Sequence, residues 1–81
     1  MRLDKYLKVT RLIKRRTIAN EACDAGKVTV NGKIARASYD IKVGDVIQIT
    51  MGTKPLTVKV ENVSEIVRKE DASSQYSVVE N

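Results

Sequence analysis

Leu3 and Leu7 stand four residues apart at the start of the chain, and Asp4 precedes Lys8 at the same spacing. An apolar pair and an acid-before-base pair one helical turn apart predict a first helix over about residues 3–9. A break follows near Thr10, with a short turn through Leu12 and Ile13. The second helix has clearer limits. Thr17 reads as its N-cap, because a threonine hydroxyl accepts from unpaired first-turn amides. Ile18, Ala22 and Ala25 recur at i, i+4 and i+7, and Gly26 ends the helix as a left-handed C′ residue. After Gly26 the period changes from helical to alternating. Val28 and Val30 flank Thr29, Asn31-Gly32 supplies a type I′ hairpin turn, and Lys33-Ile34 begins the return strand. Val43-Gly44-Asp45 is a further turn into Val46-Ile47-Gln48-Ile49-Thr50, and Gly52 to Pro55 breaks the chain again. Thr57 to Val63 alternates, with Val58, Val60 and Val63 facing inward, and Ile66-Val67 extends that strand or packs against it. From Lys69 the pattern fails, and the small polar residues beyond it predict a flexible tail over 70–81.

These elements add up to an α+β fold, a two-helix unit packed on a small antiparallel sheet. The expected core is Leu3, Leu7, Leu12, Ile18, Ala22, Val28, Val30, Ile34, Val46, Ile49, Val58 and Val60. With 81 residues there is room for one small domain, set at 1–69, and little interior for a catalytic pocket. No internal repeat is visible.

Charge changes the picture from a generic small domain to a binding protein. The formal net charge of +5 hides an asymmetry. Residues 1–36 hold ten Lys and Arg against three acids, a net of +7, while residues 37–81 hold five against seven, a net of −2. A basic field confined to one half steers a protein toward polyanions. No apolar window is long enough to span a membrane, no cationic helix has the wide apolar face of a membrane-surface segment, and no apolar run follows Arg2 as in a secretory signal. With Cys23 as the one cysteine, neither an internal disulfide nor a thiolate metal cluster is expected. A cytoplasmic protein without cofactor or metal is the expectation.

The segment Arg11-Leu-Ile-Lys14-Arg15-Arg16-Thr17 places four cations directly ahead of the second helix. The positive end of a helix dipole ordinarily attracts carboxylates. Cations there oppose the dipole unless an anion lies between them, and a phosphate would satisfy both the free amides and the guanidinium groups. Arg2, Arg11, Lys14, Arg15, Arg16 and Thr17 are therefore the leading candidates for RNA binding. Arginine forks onto phosphate oxygens and stacks on bases, which suits structured RNA. Lys5, Lys8 and Lys33 are secondary candidates, Lys27 flanks the hairpin beside them, and a solvated helix face accounts for Lys5 and Lys8 equally well. Asp4 reads as a helix-start residue or an intramolecular partner for a nearby Arg. Cys23 reads as a small buried thiol, and Tyr39 as cover for the sheet edge. With only Tyr6, Tyr39 and Tyr76 as aromatics, a base-stacking platform is poorly supported.

Taken in order, Arg2-Leu-Asp-Lys-Tyr-Leu7, the basic Arg11–Arg16 segment, Thr17 to Asp24, Ala25-Gly-Lys-Val-Thr-Val-Asn-Gly-Lys33 and Val43-Gly-Asp-Val46 resemble the S4-type RNA-binding domain over about residues 1–60. Within that family the chain is similar to the stand-alone bacterial members. These are the heat-shock-associated proteins of free large ribosomal subunits and the ribosome-associated quality-control P-site factors. The lack of a long basic C-terminal extension favours the second group. The resemblance implies a monomer on an obstructed large subunit, touching 23S rRNA and peptidyl-tRNA and supporting alanine tailing of the nascent chain by a partner tailing factor.

The residues alone leave other readings open: an RNA-recognition module serving a separate RNA-modifying enzyme, or a general RNA chaperone or nucleic-acid binder. They do not suggest an enzyme. The chain has no histidine, Asp40 and Asp45 flank turns without a nucleophilic partner, and no glycine-rich phosphate loop follows a strand.

Overall fold

The computed structural model describes residues 1–64 and 67–79. Its elements are α1 (Leu3–Val9), α2 (Arg16–Asp24), β1 (Val28–Val30), β2 (Lys33–Ile34), β3 (Val46–Ile49), β4 (Leu56–Val60), a 3-10 helix (Lys69–Gln75) and β5 (Tyr76–Val78). The strands form one antiparallel sheet in the order β2-β1-β3-β4-β5. The two helices pack together and join the sheet through a shared core, which is the α+β arrangement expected.

Local chemistry explains most of the boundaries. α1 ends where the buried Thr10 hydroxyl donates to the Tyr6 carbonyl at 2.7 Å and Arg11 turns left-handed at φ 61°. Ala25 is the C-cap of α2, and Gly26 follows at φ +74°, the C′ geometry anticipated. The β1–β2 turn has Asn31 at φ 53° and Gly32 at φ 83°, the two positive values a type I′ turn needs. Asn31 also ties that turn to the next one: its Nδ2 donates to Asp45 Oδ1 at 3.1 Å, and its Oδ1 accepts from the Val46 amide at 3.0 Å.

The start of α2 differs from expectation. Arg15 is the N-cap and Arg16 the first helical residue, with no side chain capping the helix, so Thr17 lies inside the first turn instead of at the cap. The buried stripe is Ala19, Ala22 and Cys23, while Ile18 is 39% exposed. The reason is rotational. Arg16 and Asn20 both reach Asp4 at the start of α1, and Ile18, two residues from each at roughly 100° per residue, is carried to the far side.

Two core expectations fail on strand parity. The turn pairs Val30 with Lys33 and Thr29 with Ile34, so Ile34 shares the face of Thr29 and is left 72% exposed. In β3, Ile47 and Ile49 pair with Val58 and Leu56 and are buried, whereas Val46 lies opposite Lys59 and is half-buried. Leu12 packs only against the edge of the core, where Ile13 is buried in its place. Tyr6 and Ile41 complete the interior together with Leu3, Leu7, Val28, Val30, Val58 and Val60. Each fully buried side chain of this size contributes about 1.5–3 kcal/mol of transfer free energy.

The expectation of a loose tail does not hold for residues 70–79. The 3-10 helix buries Ala72 and Gln75, and β5 pairs with β4 through Val58–Val78, Lys59–Ser77 and Val60–Tyr76. The Gln75 carbonyl accepts from the Tyr6 hydroxyl at 2.6 Å and from the Glu61 and Asn62 amides at 2.9 and 3.0 Å. Three donors converging on one carbonyl fasten the C-terminal segment to α1 and to the end of β4. Val63 packs on the core as expected, while Ile66 of the expected strand extension lies outside the described residues.

Candidate nucleic-acid interface

Asp4 organises the basic surface. It is 2% exposed, and its carboxylate accepts from Arg2 Nε and Nη2 at 3.1 and 3.2 Å, Arg16 Nε at 3.3 Å, Asn20 Nδ2 at 3.4 Å and the Lys5 amide at 2.8 Å. Burial by itself raises the Asp4 pKa. The Arg2, Asn20 and Arg16 side chains and the Lys5 amide together outweigh burial and hold the pKa below its ordinary value. The carboxylate is thus ionised at neutral pH and fixes two guanidinium groups whose side chains remain about half exposed, at 50% and 48%. A guanidinium with one edge on Asp4 keeps other N–H donors for an external anion.

The sequence-predicted residues divide between two clefts. Arg2, Arg16 and Thr17 line the first, of about 480 Å³, together with Asp4, Asn20 and Glu21. Lys8, Arg11 and Lys14 line the second, of about 320 Å³, with Val9 and Val67 as apolar walls. Arg15 is exposed at the head of α2, between the basic loop and the helix. Lys5 is half-buried on α1. Lys33 stands apart from both clefts, on a groove with Val30, Asn31, Ile34, Ala35 and Tyr39, and Tyr39 remains 40% exposed there at the β1–β2 end of the sheet.

Two residues escaped the sequence reading. Asn20 is drawn into the first cleft by Asp4, and nothing in a mid-helix asparagine announces that. Arg36 lines a further groove with Arg2 and Asn20, so the basic surface continues past the first cleft. Arg36 was visible only as one more charge of the basic half. Cys23 is buried, and desolvation, with Asp4 and Asp24 nearby, pushes its pKa up to about 11, so it is an unreactive thiol at neutral pH. Among the described residues no group of His, Cys, Asp or Glu is arranged to hold a metal ion, and no helix is long and apolar enough to cross a membrane.

The S4 domain model matches residues 1–47, the span that holds the helix pair, the Asn-Gly hairpin and the Gly44-Asp45 turn. The chain belongs to the S4-domain family. It is 56% identical over 78 residues to a protein of Halalkalibacterium halodurans named RQC P-site tRNA stabilizing factor, covering 96% of this chain and 89% of that one. The protein of the same name from Streptococcus pneumoniae is 51% identical over 79 residues, covering 98% and 90%. Among solved structures, the trimeric Heat Shock Protein 15 of Vibrio cholerae superposes with a TM-score of 0.91 at 31% identity, covering 98% of this chain and 81% of that one.

Proposed function

We propose that this S4-domain protein binds the large ribosomal subunit during ribosome-associated quality control, acting in the cytoplasm as a single copy. It contacts 23S rRNA and holds peptidyl-tRNA in place while a partner tailing factor extends the nascent chain with alanine. It performs no chemistry of its own. The names of the relatives support the tRNA and quality-control parts of this reading. The observation that carries it is the buried Asp4 carboxylate, which holds Arg2 and Arg16 half exposed in one cleft while three further cations line a second. Such a surface reads phosphate spacing and shape more than base sequence. A cleft with two half-exposed arginines beside Asp4 and Glu21, and a second lined by three cations, suit a place where two RNA surfaces meet, and the candidate contacts are Arg2, Lys5, Lys8, Arg11, Lys14, Arg15, Arg16, Thr17 and Lys33.

The test compares co-sedimentation with three particles at one salt concentration. Large subunits carrying peptidyl-tRNA are expected to bind more tightly than empty large subunits, and both far more tightly than intact empty ribosomes. Replacing Lys14, Arg15 and Arg16 together by Ala is expected to abolish co-sedimentation while leaving the circular-dichroism spectrum unchanged. Equal occupancy on all three particles, or a triple variant that sediments like the parent, overturns the reading.

A further inference from the structure

Arg11 occupies a backbone position that its side chain does not favour. It follows Thr10, the C-cap of α1, and sits at φ 61°, with its amide donating to the Lys8 carbonyl at 3.0 Å. This is the left-handed C′ position, where glycine is preferred because it has no Cβ to clash with the backbone. The chain does use glycine at the equivalent place after α2, where Gly26 has φ +74°. At the end of α1 it carries a long cationic side chain in the same conformation.

The surroundings of Arg11 supply a reason. Lys8, one turn earlier on α1, and Lys14, three residues further along, line the same 320 Å³ cleft. Among the described residues no carboxylate lines that cleft, and none of the three cations forms an ion pair with another of them. The first cleft differs, because Asp4 and Glu21 stand among its cations. Three like charges around one concavity repel one another and gain from a shared polyanion. The walls of Val9 and Val67 suit a sugar or a base edge beside the phosphate, and the volume exceeds what a lone phosphate needs.

We propose that the Lys8–Arg11–Lys14 cleft is a second phosphodiester pocket, built independently of the Arg2–Asp4–Arg16 cleft. It takes one backbone phosphate of an RNA strand with its ribose against Val9 and Val67. Arg11 holds the left-handed position because that position brings its guanidinium to the pocket, at the expense of local backbone strain. This inference rests on the RNA-binding reading above and assigns to that surface a separable subsite.

The decisive experiment uses the full chain and purified large ribosomal subunits carrying peptidyl-tRNA, with Arg11→Gly, Arg11→Lys, Arg16→Ala and the Arg11→Gly/Arg16→Ala double variant. Arg11→Gly relieves the strain as it removes the guanidinium. Its melting temperature is expected to equal or exceed the parent's by up to roughly 5 °C, while its affinity falls about tenfold and the salt slope shrinks by about one. Arg11→Lys is expected to recover part of the affinity and the full salt slope. In the double variant the two fold-losses multiply, as independent sites require. Failure of the parent itself to bind removes the RNA reading and this pocket with it. With the parent binding, the pocket alone is overturned by unchanged affinity in Arg11→Gly, by an affinity loss accompanied by a fall in melting temperature, or by a double variant no weaker than its weaker single parent.

Discussion

At the scale of single residues, Asp4 ties stability to function. Its folded-state pKa lies below the ordinary 3.8, so its ionised form stabilises the fold fully above that value, and the contribution is lost as pH falls from 3.8 through the folded-state value. Asp4→Asn is expected to remove this acid limb from a plot of stability against pH. At neutral pH the same substitution is expected to destabilise by about 1–2 kcal/mol, the range for hydrogen bonds to charged groups discounted because both guanidinium groups are half exposed. RNA affinity is expected to fall alongside, because Arg2 and Arg16 lose the group that holds them together. Urea denaturation at a series of pH values checks the first two effects. A variant with the parent's pH profile shows that Asp4 does not titrate as its partners require.

At the scale of elements, the C-terminal segment is part of the domain. Without it β4 is an exposed edge and the Tyr6 hydroxyl loses its buried acceptor. Tyr6 sits among desolvating neighbours, with Tyr76 and Glu61 nearby, and its pKa is raised accordingly, which keeps the hydroxyl a donor across the working pH range. Deleting residues 70–81 is expected to lower the melting temperature by at least roughly 10 °C, using about 4–8 °C per kcal/mol for a domain of this size. Tyr6→Phe removes one of the three donors to the Gln75 carbonyl and is expected to cost about 1 kcal/mol. A deletion that melts with the parent would return these residues to the loose tail that their polar composition predicts.

At the scale of the whole molecule, residues 1–36 carry a net of +7 and residues 37–81 a net of −2, so the attraction expected for a polyanion comes from the segment that supplies the cations of the two clefts. If four or five cations neutralise phosphates, the logarithm of the affinity is expected to fall against the logarithm of salt concentration with a slope of roughly −3 to −5, at about 0.7–0.9 per contact. Filter binding from low to physiological salt measures it. A flat dependence means that the cationic clefts are not what holds the RNA.

Local rules carried the sequence a long way. The span of α1, the glycine stop after α2, the Asn-Gly hairpin, the turn at Gly44 and the α+β class all follow from interactions within a few residues, where propensity and turn geometry decide. The position of the basic half follows from counting charges. What the sequence alone left undetermined depends on contacts between distant segments. The face of α2 was settled by Asp4 reaching Arg16 and Asn20 twelve and sixteen positions away, which rotated Ile18 outward. The split of the cations into two clefts and the inclusion of Asn20 required α1 and α2 to be packed together. The burial of Gln75 depended on a tyrosine 69 residues earlier, and no local periodicity encodes a pairing at that separation. Ile34 and Val46 belong to neither group, because strand parity across the Asn-Gly turn and along β3 was open to reading. The outer-face placement of both was in the sequence, whereas the C-terminal strand was decided only when the sheet offered β4 as a free edge.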